Sequence, residues 1–150
     1  MPESSSNPYT LLGIPGAGLL QKAQPSVLVV DDSVLVRRRL VLLLEDLEGD
    51  VVVAEATDTP EALEALRWTR PDVVILDLNL PGGSGFDVLR DIRKHPEPPL
   101  VMVFTSHGEE PYRRRSLEEG ADFFFDKGQD LAQLLTVVRS CLQARGRAAS

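Results

Sequence analysis

The sequence predicts an α/β fold, a doubly wound five-stranded parallel sheet in strand order 2-1-3-4-5 built from five βα units. Three observations predict it. Short apolar runs recur five times from Ser26 onward, each interval between them can hold a helix, and the run Val73 to Leu76 is apolar at four consecutive positions, as a strand buried on both faces must be. Alternating strands and helices imply a parallel sheet covered on both sides, and right-handed crossovers leave few topologies. In the order 2-1-3-4-5, strands one and three meet at the switch point, so ligands are expected beyond their carboxyl ends.

The strands are read at residues 26–30 (SVLVV), 51–56 (VVVAEA), 73–76 (VVIL), 100–104 (LVMVF) and 122–125 (DFFF). The first helix reveals its inner face through Val36, Leu40, Leu43, Leu44 and Leu47, which leaves Arg37, Arg38 and Arg39 mostly outside. Thr59 and Pro60 read as the cap and first-turn proline of the second helix. The third runs from about Gly85 to Lys94, a short fourth follows Pro111, and the fifth sets Leu131, Leu135, Val138 and Leu142 on one side. The folded domain is therefore placed at residues 26–145. Residues 1–25, with a serine run and four prolines around LLGIPGAGLL, read as a flexible tail, and residues 146–150 as a C-terminal tail. A signal peptide is the rival reading of the first segment, but no basic stretch precedes its apolar piece.

At 150 residues, 43% hydrophobic and 26% charged, the chain has the composition of one ordinary soluble domain with a real core. A net charge of −7 argues against nonspecific nucleic-acid or anionic-membrane binding and permits an acidic pocket for cations. Cys141 is the one cysteine, so no internal disulfide can form, and no run approaches the roughly eighteen apolar residues of a membrane span. A cytoplasmic protein is expected.

The strand ends carry the chemistry. Strand one ends in Asp31 and Asp32, strand three in Asp77, strand four in Thr105 and Ser106, and strand five runs into Lys127. Singly, each has a plain structural explanation: the first two aspartates as helix caps, Asp77 as a brace for the Pro-Gly turn, Thr105 bonding local backbone, Lys127 solvated. Together the topology brings three carboxylates, a hydroxyl and an ammonium into one crevice. Two unit charges roughly 5 Å apart repel by about 3 kcal/mol at an effective dielectric near 20, so three clustered carboxylates demand a cation. His95 and His107 are the only histidines, which supplies a zinc or copper site poorly, whereas oxygen ligands suit a hard ion, most simply Mg²⁺. Metal, ammonium and hydroxyl can neutralise a phosphoryl group while a carboxylate attacks phosphorus. Asp77 is then the nucleophile, and the LNLPGGSG loop lets backbone at Asn79 approach the site.

These residues resemble the receiver domains of two-component response regulators, particularly stand-alone, chemotaxis-type members. The resemblance rests on Asp31-Asp32 after VLVV, on DLNLPGGSG with Pro81 four and Gly85 eight residues beyond Asp77, on FTS at Thr105, and on FFDKG with Lys127. It implies a flavodoxin-like fold and makes Asp77 the acceptor of a phosphoryl group from a phosphohistidine on a sensor histidine kinase or phosphotransfer protein. It implies that Asp32, Asp77 and the Asn79 carbonyl hold Mg²⁺ directly and Asp31 through water. Thr105 and Lys127 would bind phosphoryl oxygens, Thr105 and Phe124 would act as the switch, and Asn79 and His107 would tune the lifetime of the phosphate. The signal would leave through helix four, strand five and helix five, a face that many relatives also use to dimerise. The first helix docks the phosphodonor in this family, so Arg37 to Arg39 are either a solvated face or part of that contact; Arg113 to Arg115 stand near the output face. Phe124 and Trp68 also have plain packing readings.

Two departures accompany the resemblance. Gly128 stands where the family usually has a cis proline, and a cis bond before a non-proline costs about 3 kcal/mol, so a trans bond and a differently shaped loop are expected. The chain also ends soon after helix five, so signalling through protein contacts is expected rather than through a DNA-binding output domain. Apart from its own phosphotransfer and dephosphorylation, no enzyme activity is expected. Two alternatives remain: an aspartate-nucleophile Mg²⁺ phosphohydrolase, disfavoured because Asn79 cannot act as its acid/base, and a phosphorylation-independent adaptor.

Overall fold

The computed structural model describes residues 24–47 and 50–149, with side chains to residue 145. Five strands and five helices alternate: β1 Ser26–Val30, α1 Val34–Glu45, β2 Val52–Ala56, α2 Thr59–Thr69, β3 Val73–Leu76, α3 Gly85–Arg93, β4 Leu100–Thr105, α4 Glu110–Glu118, β5 Phe123–Asp126 and α5 Leu131–Ala149. The sheet is parallel throughout, in the order β2-β1-β3-β4-β5. The tail expected over residues 1–25 lies outside the described residues except for Gln24 and Pro25. At the other end α5 continues to Ala149, past the expected boundary at 145.

Strand residues alternate between two cores, one on each face of the sheet. Leu28, Val30, Val74, Leu76, Val101, Val103 and Phe124 face one side, with Ala62 and Leu66 of α2 and Phe86, Leu89 and Ile92 of α3. Val27, Val29, Val73, Ile75, Met102, Phe104 and Phe125 face the other, against Leu40 and Leu44 of α1 and Leu134, Val138 and Leu142 of α5. All four residues of β3 are buried, as a central parallel strand requires. Fully burying each such side chain contributes about 1.5–3 kcal/mol, which makes the sheet the rigid base for whatever its ends carry. Among the described residues no helix is long and apolar enough to cross a membrane.

Local signals place the helices with small corrections. Asp58, not Thr59, caps α2: its carboxylate accepts from Glu61 N at 2.8 Å, and Thr59 and Pro60 occupy the first turn. The helix starts one residue earlier than read because Asp and Thr are both good caps, and Pro fits either first-turn position. Pro111 likewise lies inside the first turn of α4, which begins at Glu110. Arg37 is not a solvated residue. Its side chain is only 13% exposed, bonding the Asp31 carbonyl at 2.9 Å and Glu55 on β2 at 3.0 Å.

Candidate phosphoacceptor site

β1 and β3 are hydrogen-bonded neighbours with Val30 opposite Leu76, so the next residues, Asp31 and Asp77, leave the sheet side by side. The Asp77 N–H donates to the Val30 carbonyl at 3.0 Å, which locks that level. Asp31 and Asp77 are buried and Asp32 is exposed. One carboxylate oxygen from each of the three lies within 4.8 Å of the others. Lys127 arrives from the end of β5, its backbone N–H on the Thr105 carbonyl at 2.9 Å. Its ammonium bridges Asp31 Oδ2 at 2.7 Å and Asp77 Oδ2 at 2.9 Å.

Asp31 is fully engaged inside the protein, since its Oδ1 accepts from Ser33 N at 2.8 Å while Ser33 caps α1 through Val36 N. Burial pushes the Asp31 carboxyl above the ordinary aspartate value, against the hydrogen bonds from Lys127 and Ser33 and with the Asp77 charge adding to the rise. Burial alone would depress the Lys127 ammonium. The bonds and charges of Asp31 and Asp77 outweigh that and hold it above its ordinary value. The donor set consists entirely of hard oxygens around a small space, with Asp32 open to solvent, and it fits an ion of the Mg²⁺ class.

The loop after Asp77 is built by contact as well as by turn chemistry. At Gly85 a Cβ would collide with the Asp77 carbonyl and stand 2.7 Å from Leu78 Cα, so α3 can begin here only with glycine. Gly85 N donates to the Leu78 carbonyl at 2.8 Å. Gly82 has φ +76° and closes the turn against Pro60, while Thr59 N donates to the Pro81 carbonyl at 3.1 Å.

The other expected site residues are placed as follows. Asn79 is exposed, its N–H on Asp77 Oδ1 at 3.3 Å. Thr105 is completely buried at the end of β4, and its hydroxyl accepts from His107 N at 3.3 Å. The His107 ring packs 5.0 Å from that of Tyr112 on α4. Phe124 is 8% exposed in the core shared with α2 and α3, with the Arg113 guanidinium 6.0 Å from its ring centroid. The structure thus joins Asp31, Asp32, Asp77 and Lys127 directly, and sets Thr105 beside them through Lys127 backbone. No described peptide bond is cis, so Lys127–Gly128 is trans as expected. Sequence reasoning missed Arg37 as the support beneath Asp31. The one available signal was Glu55 on the neighbouring strand, and that pairing depends on register.

A five-stranded doubly wound domain with an acidic strand-end pocket and a bridging lysine is the architecture of a phosphorylation-type receiver. The chain matches the family described as response regulator receiver domain over residues 27–139 and belongs to it. Among curated proteins, the response regulator GacA of Pseudomonas viridiflava is 39% identical over 114 residues, covering 75% of this chain and 53% of that protein. The response regulator UvrY of Escherichia coli (strain K12) is 32% identical over 115 residues, covering 77% and 53%. The chain spans about half the length of these curated relatives, so the likeness is to part of longer regulators and does not single out the stand-alone, chemotaxis-type members. A two-component response regulator of the LuxR family from Aurantimonas sp. SI85-9A1 superposes with a TM-score of 0.73 at 34% identity, covering 81% of this chain and 87% of that one. The Mn²⁺-bound form of response regulator Rcp1 superposes with a TM-score of 0.67 at 26% identity, covering 77% and 90%.

Proposed function

We propose that this domain is a phosphorylation-switched signalling module that takes a phosphoryl group onto Asp77 from a phosphohistidine of a sensor histidine kinase or phosphotransfer protein. The observation that carries the reading is the Lys127 ammonium held between Asp31 and Asp77 beside a three-carboxylate cluster. An Asp77 oxygen attacks phosphorus, the P–N bond breaks, and its electron pair returns to the imidazole, leaving an acyl phosphate on Asp77. Asp32, Asp77 and the Asn79 carbonyl would hold Mg²⁺, with Asp31 acting through water; when bound, the ion offsets carboxylate repulsion and charge on the phosphoryl oxygens.

Lys127 then pairs with the new phosphoryl oxygens in place of the Asp77 carboxylate it holds at rest, and the Thr105 hydroxyl donates to another. Moving Thr105 changes its bond to His107 N–H, and Phe124 lies in the same neighbourhood on β5; these are the switch. Asn79 and His107 border the acyl phosphate and set its hydrolysis rate. The domain turns over no external substrate. A chain with a net charge of −7 favours protein partners over nucleic acid at its own surface, with the α4, β5 and α5 face as the output and self-association surface.

The test is labelling by acetyl phosphate with and without Mg²⁺, read by intact mass, for the wild type and Asp77→Asn. One Mg²⁺-dependent phosphoryl gain, lost in the variant, is expected. Gain unaffected by the variant would sink Asp77 as acceptor, no gain would favour the adaptor, and steady turnover of a phosphate ester would favour the phosphohydrolase.

A further inference from the structure

Helix α4 is thinly embedded. Of Glu110–Glu118 only Ser116 is buried, whereas α3 buries five residues. The Ser116 hydroxyl donates to Tyr112 of its own helix at 2.7 Å and so ties α4 to no neighbour. Besides Arg113 over the Phe124 ring and Tyr112 on His107, α4 is fastened to α3. The Arg115 guanidinium stands 3.8 Å over the centroid of the Phe86 ring and pairs with Glu119 Oε2 at 2.7 Å. The other Glu119 oxygen lies 3.2 Å from Arg90 Nε, and Arg90 in turn meets Asp87 Oδ1 at 2.9 Å. Asp87 closes the capping box at the start of α3, its Oδ2 accepting from Ser84 N at 2.9 Å. Beside this cluster Arg93 packs on Gly120, leaving no room there for a Cβ.

We propose that Phe86, Arg115, Glu119 and Arg90 form a latch that fixes α4 against the first turns of α3 and passes displacement at the start of α3 on to α4. The second half rests on Asp77 being the acceptor, because α3 begins against that residue: Gly85 abuts the Asp77 carbonyl and bonds Leu78. This route runs alongside the Thr105 and Phe124 one, which reaches α4 through Tyr112 on His107 and Arg113 over the Phe124 ring. Arg90 and Arg115 are about half exposed, at 49% and 51%, which weakens their ion pairs, and the buried Glu119 Oε1 meets Arg90 by charge proximity without a hydrogen bond. A latch of such contacts holds by a small margin, which suits an element that must move.

The test is amide hydrogen exchange by mass spectrometry on the full chain. Its variants are Arg115→Ala, Arg115→Lys, and the control Arg114→Ala, an exposed neighbour outside the cluster. In Arg115→Ala the α4 amides should exchange about fivefold faster, with α1, α2 and α5 unchanged. Arg115→Lys keeps the charge without the planar stack and should fall between wild type and Arg115→Ala. Arg114→Ala should leave α4 at wild-type rates or slower, since alanine is the better helix former. Equal α4 rates in wild type and Arg115→Ala overturn the latch, as does an equal acceleration in the control. In a second arm both proteins are labelled with acetyl phosphate and Mg²⁺, with stoichiometry confirmed by intact mass. The label should alter α4 exchange in wild type and at most half as much in Arg115→Ala; equal changes overturn the coupling. Failure of the wild type to take label removes the acceptor reading and the coupling with it, while the first arm alone decides the latch.

Discussion

Replacing Asp32 with Asn should stabilise the metal-free domain and, in the same protein, abolish its stabilisation by Mg²⁺. Asp32 is the exposed member of a trio whose oxygens lie within 4.8 Å of one another. At that separation each repulsion is worth about 3.5 kcal/mol at an effective dielectric of 20 and about 0.9 kcal/mol in water. Solvent exposure favours the lower figure, and the Lys127 ammonium returns part of it, so removing two repulsions leaves a net gain of about 1 kcal/mol. Mg²⁺ at ten times its dissociation constant stabilises the wild type by about 1.4 kcal/mol, because only the folded chain assembles the ligands. The two stability orders therefore cross. In urea unfolding with EDTA, the Asp32→Asn variant unfolds at the higher midpoint; with saturating Mg²⁺ it unfolds at or below the wild-type midpoint. A variant weaker than wild type in EDTA, or one that Mg²⁺ stabilises as much as wild type, would refute the reasoning.

Three further perturbations test separate contacts. Lys127→Met strands two buried carboxylates and should cost about 2–3 kcal/mol in EDTA, less than a fully enclosed pair because the lysine is 18% exposed; Mg²⁺ should recover part of it in the same denaturation assay. Gly85→Ala drives a Cβ into the Asp77 carbonyl and should cost about 2–3 kcal/mol, with slower acetyl-phosphate labelling at equal folded fraction. Because the folded Asp31 carboxyl titrates above its ordinary value of 3.8, its contribution to stability is fully present below that pH and lost as pH rises through the folded value. Urea midpoints of metal-free protein at successive pH values should therefore show a falling component above pH 3.8 that Asp31→Asn removes.

The sheet was legible because β3 and its neighbours must be apolar on both faces, and the site was legible because function here is carried at strand ends, where a one-dimensional order maps directly onto an edge in space. Asp31, Asp32, Asp77 and Lys127 needed only strand order to be brought together. Arg37 was not legible, since three consecutive arginines share one polarity and only the angle of α1 over β2 turns the first of them onto Glu55. The latch between α3 and α4 was less legible still. Arg90 and Glu119 are separated by a strand, a helix and two loops, and no periodicity relates them. The choice of Asp58 over Thr59 as cap was a contest between two residues of similar merit, settled by the Glu61 N–H.

The segment between Leu78 and Gly85 is pinned at its far end by Gly85 on Leu78, and midway by Thr59 of α2 on Pro81. It behaves as a keystone whose span is set by both helices at once. A single inserted residue would have to break one of those anchors or lift a helix, whereas added length at the tip between β4 and α4 disturbs neither. Trial insertions between Pro81 and Ser84 should therefore score as severely as substitutions in the core.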